Sequence, residues 1–362
     1  MRDTAPGRAY AGAMKSTLKL LPLGLACLAG PVTSLATEAA APVIVSTPTP
    51  YPAFGSVERL DPALDALLAP GVNMEKLAEG FSWSEGPVWL PREQRLIFSD
   101  VPKNTAYQWK DGAGATVFLQ PSGYTGLVPG PNLGEGSNGL TLDHEGRLLL
   151  CQHGDRRISR LNDDGRTFTT VADRFEGKRF SSPNDLCVDR PGNIYFTDPP
   201  YGLGKAGVRE IDFSGIYRRA PDGTITLLNR ELERPNGIAL SPDEKTLYVG
   251  NTDEQRPVIL AIPLQADGTV GASRVFFDST ALRVPGRPGS LDGLRVDVQG
   301  NVWTSGPGGI LVISPAGKHL GSLLTGRSTA NCCFGGPDGS TLYITSQNTL
   351  CRIQTKTKGN GL

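Results

Sequence analysis

From Ser84 onward the chain alternates apolar and polar residues in short runs, and each run stops at a cluster containing Gly, Pro, Asn or Asp. No stretch there repeats at helical spacing, so the pattern predicts strands joined by turns. One unit is written six times: a polar residue, a short strand, a turn and a second strand. The clearest copy begins at Ser182-Pro183-Asn184-Asp185-Leu186 and turns at Arg190-Pro191-Gly192-Asn193. It ends at Ile194-Tyr195-Phe196-Thr197-Asp198. The others open at Glu85, Asn138, Asn236, Asp292 and Asn331, with spacings of 53, 46, 52, 56 and 39 residues along the series from Glu85 to Asn331.

A recurrence of roughly 40 to 50 residues made only of strands is the mark of propeller blades. Each interval leaves room for two further strands, as in Ile158-Ser159-Arg160-Leu161 and Phe168-Thr169-Thr170-Val171 around the turn Asp163-Asp164-Gly165. The expected fold is all-β, a six-bladed β-propeller with four-stranded blades. In such a ring the first strand of each blade leaves one face and the second returns to it. The six opening residues therefore crowd one mouth of an axial channel. Met74 to Phe81 precedes the first copy and is expected to add a strand to the last blade, because an open ring leaves sheet edges unpaired.

The mouth so assembled offers carboxylates from Glu85 and Asp292 and amide oxygens from Asn184 and Asn236. These are hard donors of the kind Ca²⁺ takes, and two carboxylates balance its charge. Asn-Gly and Asp-Gly pairs are also ordinary turn residues, and any one of Asn138-Gly139, Asn236-Gly237 or Asp292-Gly293 read singly is a turn. Recurrence at one phase while the residue type varies favours the metal reading, as does Glu85-Gly86-Pro87, a poor turn sequence. The three histidines, His144, His153 and His319, show no paired spacing, which leaves zinc hydrolase chemistry unsupported. His153 closes the second strand of its copy and so returns to the face of Asn138, either lining the channel or serving as an ordinary hydrogen-bonding group.

Lys plus Arg and Asp plus Glu number 36 each, so no net field draws nucleic acid or an acidic membrane. The 45 glycines and 29 prolines fit a chain that turns every few residues. Residues 1–36 read as a signal peptide region starting at Met14. Lys15 and Lys19 flank the start of an apolar run from Leu20 to Ala29, and Ser34-Leu35-Ala36 offers a cleavage site. That run is too short to span a bilayer. Cys27 offers a lipoprotein alternative, although Gly24 stands where a bulky aliphatic is usual. The expectation is an exported protein in an oxidising compartment, a bacterial periplasm. Residues 37–70 read as a linker and N-terminal extension, with Asp61 to Leu68 a short helix, and residues 71–358 as the propeller. The remaining cysteines, Cys151, Cys187, Cys332, Cys333 and Cys351, are odd in number and read mostly as buried fillers, without metal-finger spacing.

Five motifs occur in order: Ser84-Glu85-Gly86-Pro87-Val88-Trp89, Ser182-Pro183-Asn184-Asp185, Ile194 to Gly202, Arg234-Pro235-Asn236-Gly237-Ile238 and Leu291-Asp292-Gly293. Together they resemble the regucalcin/gluconolactonase family, in its bacterial gluconolactonase-like branch, over about Glu75 to Ile353. The resemblance implies one catalytic divalent cation in the axial channel, calcium in the first place, with magnesium, manganese and zinc as alternatives. It puts the metal-binding Glu on Glu85, the Asn ligands on Asn184 and Asn236, the Asp ligand on Asp292, and a substrate-contacting Asp on Asp185. Asn138 and His153, on the same face, join the expected substrate-binding residues. Ser182 stands where animal members carry Arg, which bears on the substrate rather than on the metal.

The activity so implied is hydrolysis of a sugar lactone to its aldonic acid, with the cation polarising the carbonyl and Asp292 first, Asp185 second, as base toward water. No Gly-x-Ser-x-Gly elbow occurs, which argues against a serine esterase. Two alternatives stand beside it: hydrolysis of other lactones or phosphotriester-like esters, and a non-catalytic ligand-binding propeller with a structural ion. The expected partner is a small-molecule lactone, with no nucleic acid and no membrane span.

Overall fold

The computed structural model describes residues 44–47, 49–127, 135–203 and 207–361. The signal region, Met14 and Cys27 lie outside them. Six antiparallel sheets follow one another along the chain and close into a six-bladed β-propeller. Blades 1 to 4 are each built from four consecutive strands, opening at Ser84–Leu90, Ser137–Leu142, Leu186–Val188 and Pro235–Leu240. Blade 5 opens at Leu294–Val296 and blade 6 at Asn331–Gly335.

The opening strand of every blade is innermost, and this explains its burial. Ser84–Leu90 and Pro235–Leu240 are buried at every position because another blade covers each face. Outer strands such as Phe168–Ala172 regain solvent-exposed positions. Alternation along a strand sends neighbouring residues to the two adjoining interfaces. Cys332 packs with Trp303 and Val312 of blade 5, whereas Cys333 packs with Trp89 and Phe98 of blade 1. Six apolar clusters result, one at each junction between neighbouring blades. All five cysteines of the described residues are free thiols.

Blade 6 takes its fourth strand from the other end of the chain. Met74–Glu79 pairs antiparallel with Thr349–Gln354, with Leu350 opposite Ala78 and Arg352 opposite Glu75. Leu77 and Ala78 are fully buried there. The stretch read as linker and extension also adds edge strands: Ser56–Arg59 pairs with His319–Leu324 of blade 5, and Ala53–Phe54 with Met74–Glu79. Between them Pro62–Ala66 forms one 3₁₀ helix rather than a longer α-helix. Asp61 caps it by accepting the Ala63 N–H at 2.8 Å, and Pro62 occupies its first turn. Among the described residues no helix is long and apolar enough to cross a membrane.

Candidate functional site

The polar residue that opens each inner strand is followed in four blades by glycine, and the structure shows why. Gly139, Gly237 and Gly293 donate backbone N–H groups to the next blade: to the Asn184 carbonyl at 2.8 Å, the Asp292 carbonyl at 3.0 Å and the Ala330 carbonyl at 2.8 Å. A Cβ on Gly237 would sit 2.3 Å from the Asp292 carbonyl oxygen, and one on Gly293 would sit 2.0 Å from the Asn331 side chain. Successive inner strands thus touch at these points. Asn138-Gly139 and Asn236-Gly237 lie within strands, not in turns. Pairing slips beside them, between Leu150 and Gln152 and between Pro235 and Ile238, as a bulge does when it re-aims a side chain.

The loops entering the inner strands are held by carboxylates and an amide that the sequence reading left unassigned. Asp100 accepts the N–H groups of Ser82 and Trp83, both at 3.0 Å, and Asp198 accepts those of Ser181 and Ser182 at 2.8 and 2.7 Å. Asn251 accepts the Arg234 N–H at 3.0 Å. These residues end the second strand of blades 1, 3 and 4, so each blade clamps its own entrance. Burial pushes the Asp198 carboxyl up to about 7, against the two N–H groups that favour its charge.

Two chains of contacts link the opening residues around the axis. In the first, His153 Nε2 lies 3.1 Å from Asn184 Oδ1, Asn184 Nδ2 donates to Asn236 Oδ1 at 2.5 Å, and Asn236 Nδ2 donates to Thr252 Oγ1 at 3.0 Å. Asn236 also reaches the Asp292 carboxylate. In the second, Asn331 Nδ2 bridges Glu85 Oε2 at 3.5 Å and Asp185 Oδ2 at 3.3 Å. The sequence-selected residues Glu85, Asn184, Asn236 and Asp292 therefore share one site, joined by His153, Asp185 and Asn331. Asn138 is buried beside them with its Oδ1 unpartnered. Tyr201, which lies in the motif Ile194 to Gly202 but was given no role from sequence, brings its phenol to Asn236 and Thr252 and into the field of Asp292, while 36 % of the residue stays exposed.

The electrostatics are those of crowded negative charge. Glu85 is pushed up to about 7, first by burial and then by the charge of Asp185, although Gly86 N–H donates to it at 3.0 Å and Trp83 Nε1 at 3.4 Å. Burial, with the charges of Glu85 and Asp185, raises Asp292 well above the usual carboxylate range. Asp185 is fully buried, and its oxygens are taken by Leu186 N–H at 2.9 Å, Arg295 Nη1 at 3.2 Å and Asn331. Asp292 Oδ1 has no partner. Among the described residues no three His, Cys, Asp or Glu side chains form a ligand cluster. The oxygens gathered here come half from carboxylates and half from amides, which is the donor mixture of a hard divalent cation.

This is a six-bladed propeller whose inner-strand openings gather polar side chains at one end of its axis. Residues 83–348 match the family described as the SMP-30/gluconolactonase/LRE-like region, and the chain belongs to that family. It is 38 % identical to the gluconolactonase of Zymomonas mobilis over 84 % of this chain and 88 % of that protein. It is 28 % identical to the pentonolactonase XacC of Haloferax volcanii over 72 % of this chain and 80 % of that one. A solved gluconolactonase from Xanthomonas campestris superposes with a TM-score of 0.73 at 32 % identity, covering 84 % of this chain and 97 % of its own.

Proposed function

We propose that the protein is a lactone hydrolase of gluconolactonase type, opening a sugar lactone to the aldonic acid at a divalent cation held by Glu85, Asn184, Asn236 and Asp292. The observation that carries this reading is their convergence from blades 1, 3, 4 and 5, with Asp292 Oδ1 left unpartnered. The similar gluconolactonase and pentonolactonase supply the substrate class. When bound, the cation supplies Lewis acidity toward the lactone carbonyl and toward water.

The protein's own groups divide the remaining work. Asp292 takes the proton of the attacking water, through the carboxylate oxygen that has no hydrogen-bond partner. Asp185 is the poorer base because three donors already engage its carboxylate. His153 holds the Asn184 amide, and Asn138 and Tyr201 present polar groups where lactone hydroxyls would lie. Turnover of glucono-1,5-lactone before and after chelation tests the reading. Activity should vanish with the chelator and return with Ca²⁺ in the wild type, and should stay absent in Glu85→Gln. Full turnover by the chelated enzyme would refute it.

A further inference from the structure

The six inner strands, with the residues that open them, carry four charged side chains: Glu85, Asp185, Asp292 and Arg295. Three are negative, one more than a divalent cation balances. Arg295 Nη1 donates to Asp185 Oδ2 at 3.2 Å and to its neighbour's carbonyl, that of Leu294, at 2.7 Å. The guanidinium has no other carboxylate partner among the described residues. On its far side lies a cavity of about 70 Å³ lined by Trp89, Thr141, Phe334 and Gly359 to Gly361. There the C-terminal segment crosses the opposite end of the axis, with Asn360 N–H donating to the Val296 carbonyl at 2.9 Å. Arg295 is thus held between a buried carboxylate and a small, partly open space of mixed polar and apolar lining.

We infer that Arg295 is a positioning residue that cancels Asp185 as a fixed counter-charge, leaving the axial site at minus two and so tuned to a divalent cation. The ion pair flanks the opening residues and meets them at Asn331. Asn331, which touches both Asp185 and Glu85, passes the pair's position to the site. Without Arg295, an unpaired buried carboxylate would add a third negative charge in a medium where charges are weakly screened. The site would then favour a trivalent ion over Ca²⁺. This rests on the cation reading above.

The test is a charge series measured by calorimetric binding of Ca²⁺ and of Tb³⁺ to chelator-stripped protein. Arg295→Met takes the site to minus three and should raise the preference for Tb³⁺ over Ca²⁺ at least about tenfold, whereas Arg295→Lys should keep the wild-type preference. Asp185→Asn takes it to minus one and should weaken both ions at least about tenfold. Asp185→Asn/Arg295→Met restores minus two and should return both affinities toward wild type. A purely structural pair would shift both single variants the same way and make the double variant worse, which would overturn the inference. If Arg295→Met does not fold, the double variant against Asp185→Asn decides: recovery of Ca²⁺ affinity supports the counter-charge and no recovery rejects it. A wild type that binds neither ion removes the cation reading itself. A wild type that binds Ca²⁺ with a flat charge series removes only the role of Arg295.

Discussion

His153 Nε2 stands 3.1 Å from Asn184 Oδ1, so a residue just past the second strand of blade 2 fixes the amide that opens blade 3. The imidazole is 2 % exposed, and its other nitrogen, Nδ1, is buried without a hydrogen-bond partner. His153→Ala should lower kcat/KM for glucono-1,5-lactone by about 10- to 100-fold, as removal of a group behind a ligand does. His153→Gln, which keeps a donor at comparable reach, should recover part of the loss. Equal losses in the two variants, with unchanged melting temperature, would show that His153 works by another route.

Gly293 is pressed against Asn331, and a Cβ would fall 2.0 Å from that side chain. The neighbour is itself buried and bridges Glu85 to Asp185, so it has little room to yield. Gly293→Ala should cost about 1–3 kcal/mol of stability, measured by denaturant unfolding. Because the displaced backbone carries Asp292, the fall in turnover should exceed what the lost stability accounts for. A variant that melts lower yet turns over normally would separate Asp292 from the chemistry.

Ring closure by Met74–Glu79 depends on Leu77, which is fully buried with Trp89, Trp109 and Tyr343 at the junction of blades 6 and 1. Leu77→Ala should destabilise the protein by about 2–5 kcal/mol. Removing residues through 80 should abolish the single cooperative thermal transition, because both edges exposed belong to the same ring. Loss of one blade's signal with the rest still melting cooperatively would mean that the blades fold independently.

The repeat was legible because the same interface is built six times: each inner strand needs a polar residue facing the axis at one phase and apolar residues facing two neighbours. The closing strand was legible for a related reason, since a ring must pair its last edge. Four features were not. Asn138-Gly139 and Asn236-Gly237 look like turns locally, and only contact with the next blade shows the glycine as a point of close approach. Ser56–Arg59 is too short and too polar to announce a strand, and its partner, His319–Leu324, lies far along the chain. Arg295 pairs with Asp185 across 110 positions, and Tyr201 begins a three-residue 3₁₀ turn, Tyr201–Leu203, too short for any periodicity to mark it.

The raised carboxylates fix how stability should depend on pH. Glu85 holds its proton up to about 7 in the folded protein, and Asp292 is raised as well, whereas in the unfolded chain both return to the ordinary carboxylate range. Between those limits the folded state binds more protons than the unfolded state. The contribution from these two groups is therefore fully present below the unfolded values and is lost as pH rises through the folded ones. Chelated protein should accordingly lose melting temperature between about pH 5 and pH 8. Saturating Ca²⁺ should oppose the trend, since it favours the ionised carboxylates and competes with protons that are scarcer at high pH. The stabilisation by Ca²⁺ should thus be small at about pH 5 and grow to a plateau above about pH 7. Glu85→Gln should flatten the pH dependence of the chelated protein and shrink the Ca²⁺ effect together. A Ca²⁺ shift of equal size at both ends of the range would mean that the cation does not meet these carboxylates.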